Sequence, residues 1–149
     1  MTTRRQALTA LLLTTAWLTT ACNDPDTFEI AEQPIRVGAT LSGAQQKPTS
    51  TTSTATGTFV GHVFRNTKVM SYTLTFAGIT PTMAHIHRIE AADGTGPIII
   101  PFARLTSPVS GTATLTRVRM DSILNGKTYV NLHTARFPAG EIRGDIRRQ

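Results

Sequence analysis

From Ile35 onward the chain is a succession of short runs rich in Val, Ile, Thr, Phe and Tyr, each broken by Gly, Pro or Asn. Such side chains are stiff or bulky and fit a pleated surface, and the breaks come too often for helices of ordinary length. The runs at 35–41, 57–64, 68–76, 84–90, 98–103, 111–117, 128–134 and 141–147 therefore read as strands. About eight short strands at this spacing predict an all-β sandwich or barrel. Residues 65–67 read as a hairpin turn and 93–97 as a loop, while the Ser/Thr-rich stretch 47–56 reads as an exposed, mobile connection. Only residues 120–124 read as helix, ended by Asn125-Gly126, two residue types that tolerate the left-handed conformation at a helix terminus.

The first residues follow a different pattern. Arg4 and Arg5 precede an apolar stretch at 7–18, and the small residues Thr19, Thr20 and Ala21 lead into Cys22. An apolar run of about 12 residues suits a secretory signal and falls short of the roughly 20 that span a bilayer as a helix. The expected organisation is a signal over 1–21, a flexible, acidic, proline-containing tether over 22–34, and one domain over 35–149. Cys22 is the only cysteine, so an internal disulfide is excluded. The segment Leu18-Thr19-Thr20-Ala21-Cys22 resembles the lipobox of bacterial lipoproteins, with its Leu one position further from the cysteine than usual. That resemblance implies a diacylglycerol on Cys22, and hence a domain held outside the cytoplasm against the cell membrane or the outer membrane. Ordinary cleavage after Ala21, leaving a free thiol, is the alternative. The Arg4-Arg5 pair leaves both the general secretory and the twin-arginine routes open.

Loss of Arg4 and Arg5 with the signal takes 15 Lys and Arg down to 13 against 9 Asp and Glu, so the net charge falls from +6 to +4. The remaining basic residues are scattered apart from Arg143, Arg147 and Arg148. Nucleic-acid binding calls for a concentrated basic face, so it is not expected here.

Strand alternation sorts the chemistry by face. It places Tyr129, Asn131 and His133 together opposite Val130 and Leu132, and His85 and His87 together opposite Ala84 and Ile86. Glu141, Arg143 and Asp145 likewise share one face of their run. Two histidines two apart on a strand have Cα atoms about 6–7 Å apart and point the same way, so both rings can reach one ion. His133 completes a three-imidazole set if its strand lies alongside, a set that suits copper or zinc with an open fourth position. Glu141 then stands as a further ligand or as a partner that orients an imidazole. The competing reading is structural: histidines on a polar strand face also bond neighbouring carboxylates or backbone. For His62, between Phe59 and Phe64, packing is the expected role.

The segments Ala84-His85-Ile86-His87, Asp93-Gly94-Thr95-Gly96-Pro97-Ile98, the run from Leu124 to Thr134, and the run from Pro138 to Ile146 resemble the CHRD domain, which takes its name from chordin. Leu41 to Gln46, together with Gly57, is similar to its opening. The resemblance covers about residues 35–147. It implies an immunoglobulin-like, Greek-key β-sandwich distantly related to copper/zinc superoxide dismutase, and an extracellular binding role. His85 and His87 resemble a pair of copper ligands in the dismutase. The four histidines and single cysteine fall short of that enzyme's full ligand set and disulfide, so dismutase activity is not expected.

The expected function is a membrane-anchored, non-enzymatic binding module for an unidentified protein or surface ligand. The alternative is a copper- or zinc-binding protein using His85, His87 and His133. Catalysis has least support: no Gly-x-Ser-x-Gly and no reactive cysteine besides Cys22 is present.

Overall fold

Nine strands and one short helix make up the domain in the computed structural model, which describes residues 32–149. The expected signal, Cys22 and most of the expected tether lie outside the described residues. The strands are β1 (Ile35–Ser42), β2 (Thr56–Phe64), β3 (Val69–Ala77), β4 (Met83–Arg88), β5 (Ile98–Pro101), β6 (Val109–Thr114), β7 (Thr128–His133), β8 (Ile142–Asp145) and β9 (Arg147–Arg148). The helix α1 spans Arg117–Leu124. In space the strands run β5-β4-β7-β8-β1-β2-β3-β6, with β9 also pairing β1. Every pairing is antiparallel.

Alternation decides what enters the core. One face of each strand supplies Val37, Ala39 and Leu41, Phe59 and Val63, Met70 and Leu74, Ala84 and Ile86, Val130 and Leu132, and Ile142, all buried. Each of the larger side chains contributes about 1.5–3 kcal/mol by leaving water. Aromatic packing ties the β5 edge of the sheet to the half that holds β2 and β3. Phe102, just past β5, sits 6.3 Å from Phe59 on β2 and 5.1 Å from Tyr72 on β3, measured between ring centroids. The sheet is curled into a nearly closed barrel, and the all-β class read from the sequence holds.

Several details differ from the sequence reading. The helix begins at Arg117 rather than at residue 120, because the Thr116 side chain accepts the Arg119 N–H at 3.3 Å and caps it. That leaves β6 to end at Thr114, earlier than expected. The run 141–147 is divided between two partners: β8 pairs β7, the buried Ile146 follows, and β9 pairs β1. The stretch 47–56, read as exposed and mobile, is held down. Thr51 Oγ1 donates to the Glu141 carbonyl at 2.8 Å, Ser53 Oγ donates to Glu141 Oε1 at 2.7 Å, and Ala55 is buried. Hydroxyl side chains that look like loop composition here act as donors to the backbone carbonyl and the buried carboxylate of Glu141. At the other end of the domain Glu32, in the expected tether, accepts the N–H groups of Arg65 and Asn66 in the β2–β3 turn.

The polar strand faces are interior as well. All six residues of β7 are buried, so Tyr129, Asn131 and His133 occupy a second, polar layer beneath loops rather than facing solvent. Gln46, itself buried, donates to the Ala139 carbonyl at 3.2 Å across this layer. Gly140 lies so close over Asn131 that a Cβ there would meet the Asn131 amide at about 2.5 Å, and its φ of 125° favours glycine as well.

Candidate metal centre

The register of β4 and β7 assembles the site. Met83 pairs with His133, His85 with Asn131, and His87 with Tyr129, so the β4 histidines and His133 share one face of adjacent strands. Opposed side chains in such a pair are about 4.5–5.5 Å apart at Cβ, with diagonal neighbours within reach of an aromatic ring. Ring centroids lie 5.6 Å apart for His85–His87, 5.3 Å for His85–His133 and 6.1 Å for His87–His133. One nitrogen from each ring lies within 4.8 Å of the other two.

Two loops fix the protonation pattern. His87 Nδ1 is 2.9 Å from the Gly96 carbonyl, and His133 Nδ1 is 2.9 Å from the Pro138 carbonyl. A carbonyl oxygen can only accept, so each Nδ1 carries the proton and the lone pair of the neutral ring falls on Nε2. Those two Nε2 atoms, and Nδ1 of His85, are buried without a hydrogen-bond partner. Buried polar atoms are paired in the great majority of cases. Three unpaired imidazole nitrogens in one cluster of rings, with Asn131 Oδ1 on the same strand face also unpaired, therefore mark this place.

The loop geometry that presents Gly96 is specified locally. Asp93 Oδ1 accepts from both the backbone N–H and the hydroxyl of Thr95, at 2.9 and 2.6 Å, and these bonds hold the Asp93 carboxyl below its usual pKa. At Gly96 a Cβ would run into the Arg88 carbonyl, so only glycine lets the loop approach β4 this closely.

Burial disfavours the charged form of the two β4 rings. Burial lowers the pKa of His85, with smaller contributions from His133 and His87. Burial also lowers that of His87; the bond to Gly96 opposes this, and His133 and Arg143 add to it. Behind His87 the Tyr129 ring lies parallel at 4.8 Å, and the Arg143 guanidinium lies 3.5 Å over the far face of that ring. Arg143 is 1% exposed and is held by Asp145 at 2.9 Å. The result is an imidazole–phenol–guanidinium stack running from the cluster across β4, β7 and β8.

The sequence reading is thus met unevenly. His85, His87 and His133 come together. Glu141 is buried, but its carboxylate is taken up by Ser53 and by Thr134, whose hydroxyl donates at 2.5 Å, and it does not orient an imidazole. His62 lies on β2 opposite Ser71, outside the cluster. Tyr129 and Arg143 were legible as members of polar faces, but nothing in the pattern signalled that those faces are buried and stack on His87.

Neutral imidazole nitrogens with a fixed tautomer are ligands for zinc or copper, and the residues fit that chemistry. His85, His87 and His133 would hold such an ion, their ligand nitrogens lying within 4.8 Å of one another.

Fold and site together define a small all-β domain with a trihistidine cluster in a polar interior layer. Residues 37–146 match the CHRD domain, and the chain belongs to that family. Comparison with curated proteins and with solved structures found no match.

Proposed function

We propose that this CHRD domain is an exported, lipid-anchored binding module whose ligand is a copper or zinc ion held by His85, His87 and His133. The observation that carries the reading is the convergence of three buried, unpartnered imidazole nitrogens, two of them with tautomers set by backbone carbonyls. A structural role for the histidines would pair those nitrogens with protein groups, as Glu141 is paired. The neutral ligand set leaves a fourth position open, which serves holding and passing on an ion as readily as any reaction. Export and anchoring rest on the amino-terminal pattern ending at Cys22.

Full-length protein purified in detergent is titrated with Zn(II) and Cu(II) against competing chelators. One tight equivalent is expected, weakened by a hundredfold or more in His85→Ala/His87→Ala, on the order of the upper end of supporting-residue effects. Equal, weak binding by both proteins refutes the metal reading. For the anchor, Cys22→Ala should move the protein from the membrane fraction to the soluble one; an unchanged distribution refutes lipidation.

A further inference from the structure

Resting on the trihistidine reading, we infer that Met83 supplies a thioether as a fourth ligand and makes the site selective for copper(I). Three observations converge on this residue. Met83, His85 and His87 alternate along β4 and so share its inner polar face. Across the strands Met83 is the register partner of His133, which places their Cβ atoms about 4.5–5.5 Å apart, within the reach of an unbranched side chain with three rotatable bonds. Exposure along the row falls from 46% at Met83, through half-buried His85, to 8% at His87, so Met83 stands at the open mouth of the cluster.

The backbone beneath Met83 is fixed while its side chain is nearly half exposed. Thr82 donates to the His133 carbonyl from its N–H at 2.8 Å and from its hydroxyl at 3.3 Å, which locks the start of β4 to the end of β7. The thioether, in contrast, belongs to one of three exposed large apolar side chains among the described residues. It is therefore available to swing over the open position.

Charge selects the oxidation state. Imidazole and thioether are uncharged donors, and the carboxylates around the site are engaged elsewhere: Glu141 by two hydroxyls, Asp93 by Thr95, Asp145 by Arg143 and Arg147. The Arg143 cation lies one aromatic ring behind His87. A soft, singly charged ion loses less in such surroundings than a doubly charged one, and thioether sulfur favours copper(I) over zinc.

The test compares Met83 with Met83→Leu, a volume-conserving change at an exposed position, both in a Cys22→Ala background that removes the only thiol. Cu(I) is titrated anaerobically against a chromophoric Cu(I) chelator, Zn(II) against a zinc chelator, and X-ray absorption at the copper edge reports sulfur. The expected result is a Cu(I) affinity lower by about tenfold or more in the leucine variant, Zn(II) affinity within about twofold, and a sulfur scatterer present only with Met83. Equal Cu(I) affinities, or copper bound by nitrogen alone with Met83 present, overturn the assignment of Met83 while leaving the trihistidine reading intact. Failure of the Met83 protein to bind either ion, or binding that survives His85→Ala/His87→Ala, overturns that reading and this inference with it.

Discussion

Replacing Arg143 with methionine should cost both stability and metal affinity, and the structure sets the size of each. The guanidinium is 1% exposed, stacks on Tyr129 at 3.5 Å and pairs with Asp145 at 2.9 Å. The cation–π contact is worth about 0.5–2 kcal/mol. Breaking a fully buried ion pair costs about 3–5 kcal/mol, because the stranded charge has nowhere to go. Asp145 is not fully stranded: its side chain is 25% exposed and keeps Arg147 at 3.1 Å. Methionine also refills much of the volume with apolar atoms. The net loss should therefore be about 2–3 kcal/mol, or on the order of 10 °C in Tm for a domain of this size. Thermal unfolding followed by circular dichroism measures it in metal-free protein. The second effect passes through the stack: once Tyr129 is unclamped, His87 loses its backing, and Zn(II) affinity should fall by about tenfold. Arg143→Lys should behave similarly, since an ammonium cannot lie flat on the ring and bond Asp145 at the same time. A methionine variant that melts within about 2 °C of the parent would refute the argument that this buried cation is stabilising.

Two further outcomes follow from the loops and from the titration of the site. Gly96→Ala drives a methyl group toward the Arg88 carbonyl and pulls the Gly96 carbonyl off His87 Nδ1. It should lower stability by about 1–3 kcal/mol and metal affinity by about tenfold to a hundredfold, and unchanged values in urea unfolding and zinc titration would contradict the assigned role of the loop. In metal-free protein the folded-state pKa values of His85 and His87 lie below 6.5, chiefly through burial, so the unfolded chain takes up protons there before the folded one does. Their contribution to stability is whole above pH 6.5 and is lost as pH falls below it. The melting temperature should decline between about pH 7 and pH 5, and His85→Gln/His87→Gln should flatten that decline; parallel curves would count against it.

The strands and the three site histidines were legible because both are written in period-two alternation. Val130 and Leu132 announce one face of β7, and Tyr129, Asn131 and His133 the other. What alternation cannot convey is whether a polar face meets water. That depends on the loops around Gln46, Gly96 and Gly140 folding over it, and their closeness rests on missing Cβ atoms rather than on any apolar signal. The same limit explains Glu141. Its place beside Ile142 and Arg143 was visible, but the hydroxyls of Ser53 and Thr134 that occupy it come from distant and local loops whose meeting the pattern does not encode. The start of α1 was misplaced for a simpler reason. Arg117 to Arg119 has no apolar period, and the helix there is set by the single cap at Thr116.

The two carbonyls that orient His87 and His133 belong to different loops, one between β4 and β5 and the other between β7 and β8. An ion bound by both rings would act as a rivet joining those loops, since opening either one requires its imidazole to leave the metal. Local excursions that expose the Gly96 and Gly140 amides would then be coupled events, rarer in proportion to metal occupancy. Hydrogen exchange at the two loops should slow together on metal loading while exchange in the β2–β3 hairpin stays unchanged, so the protein's own fluctuations would then gauge how full such a site is.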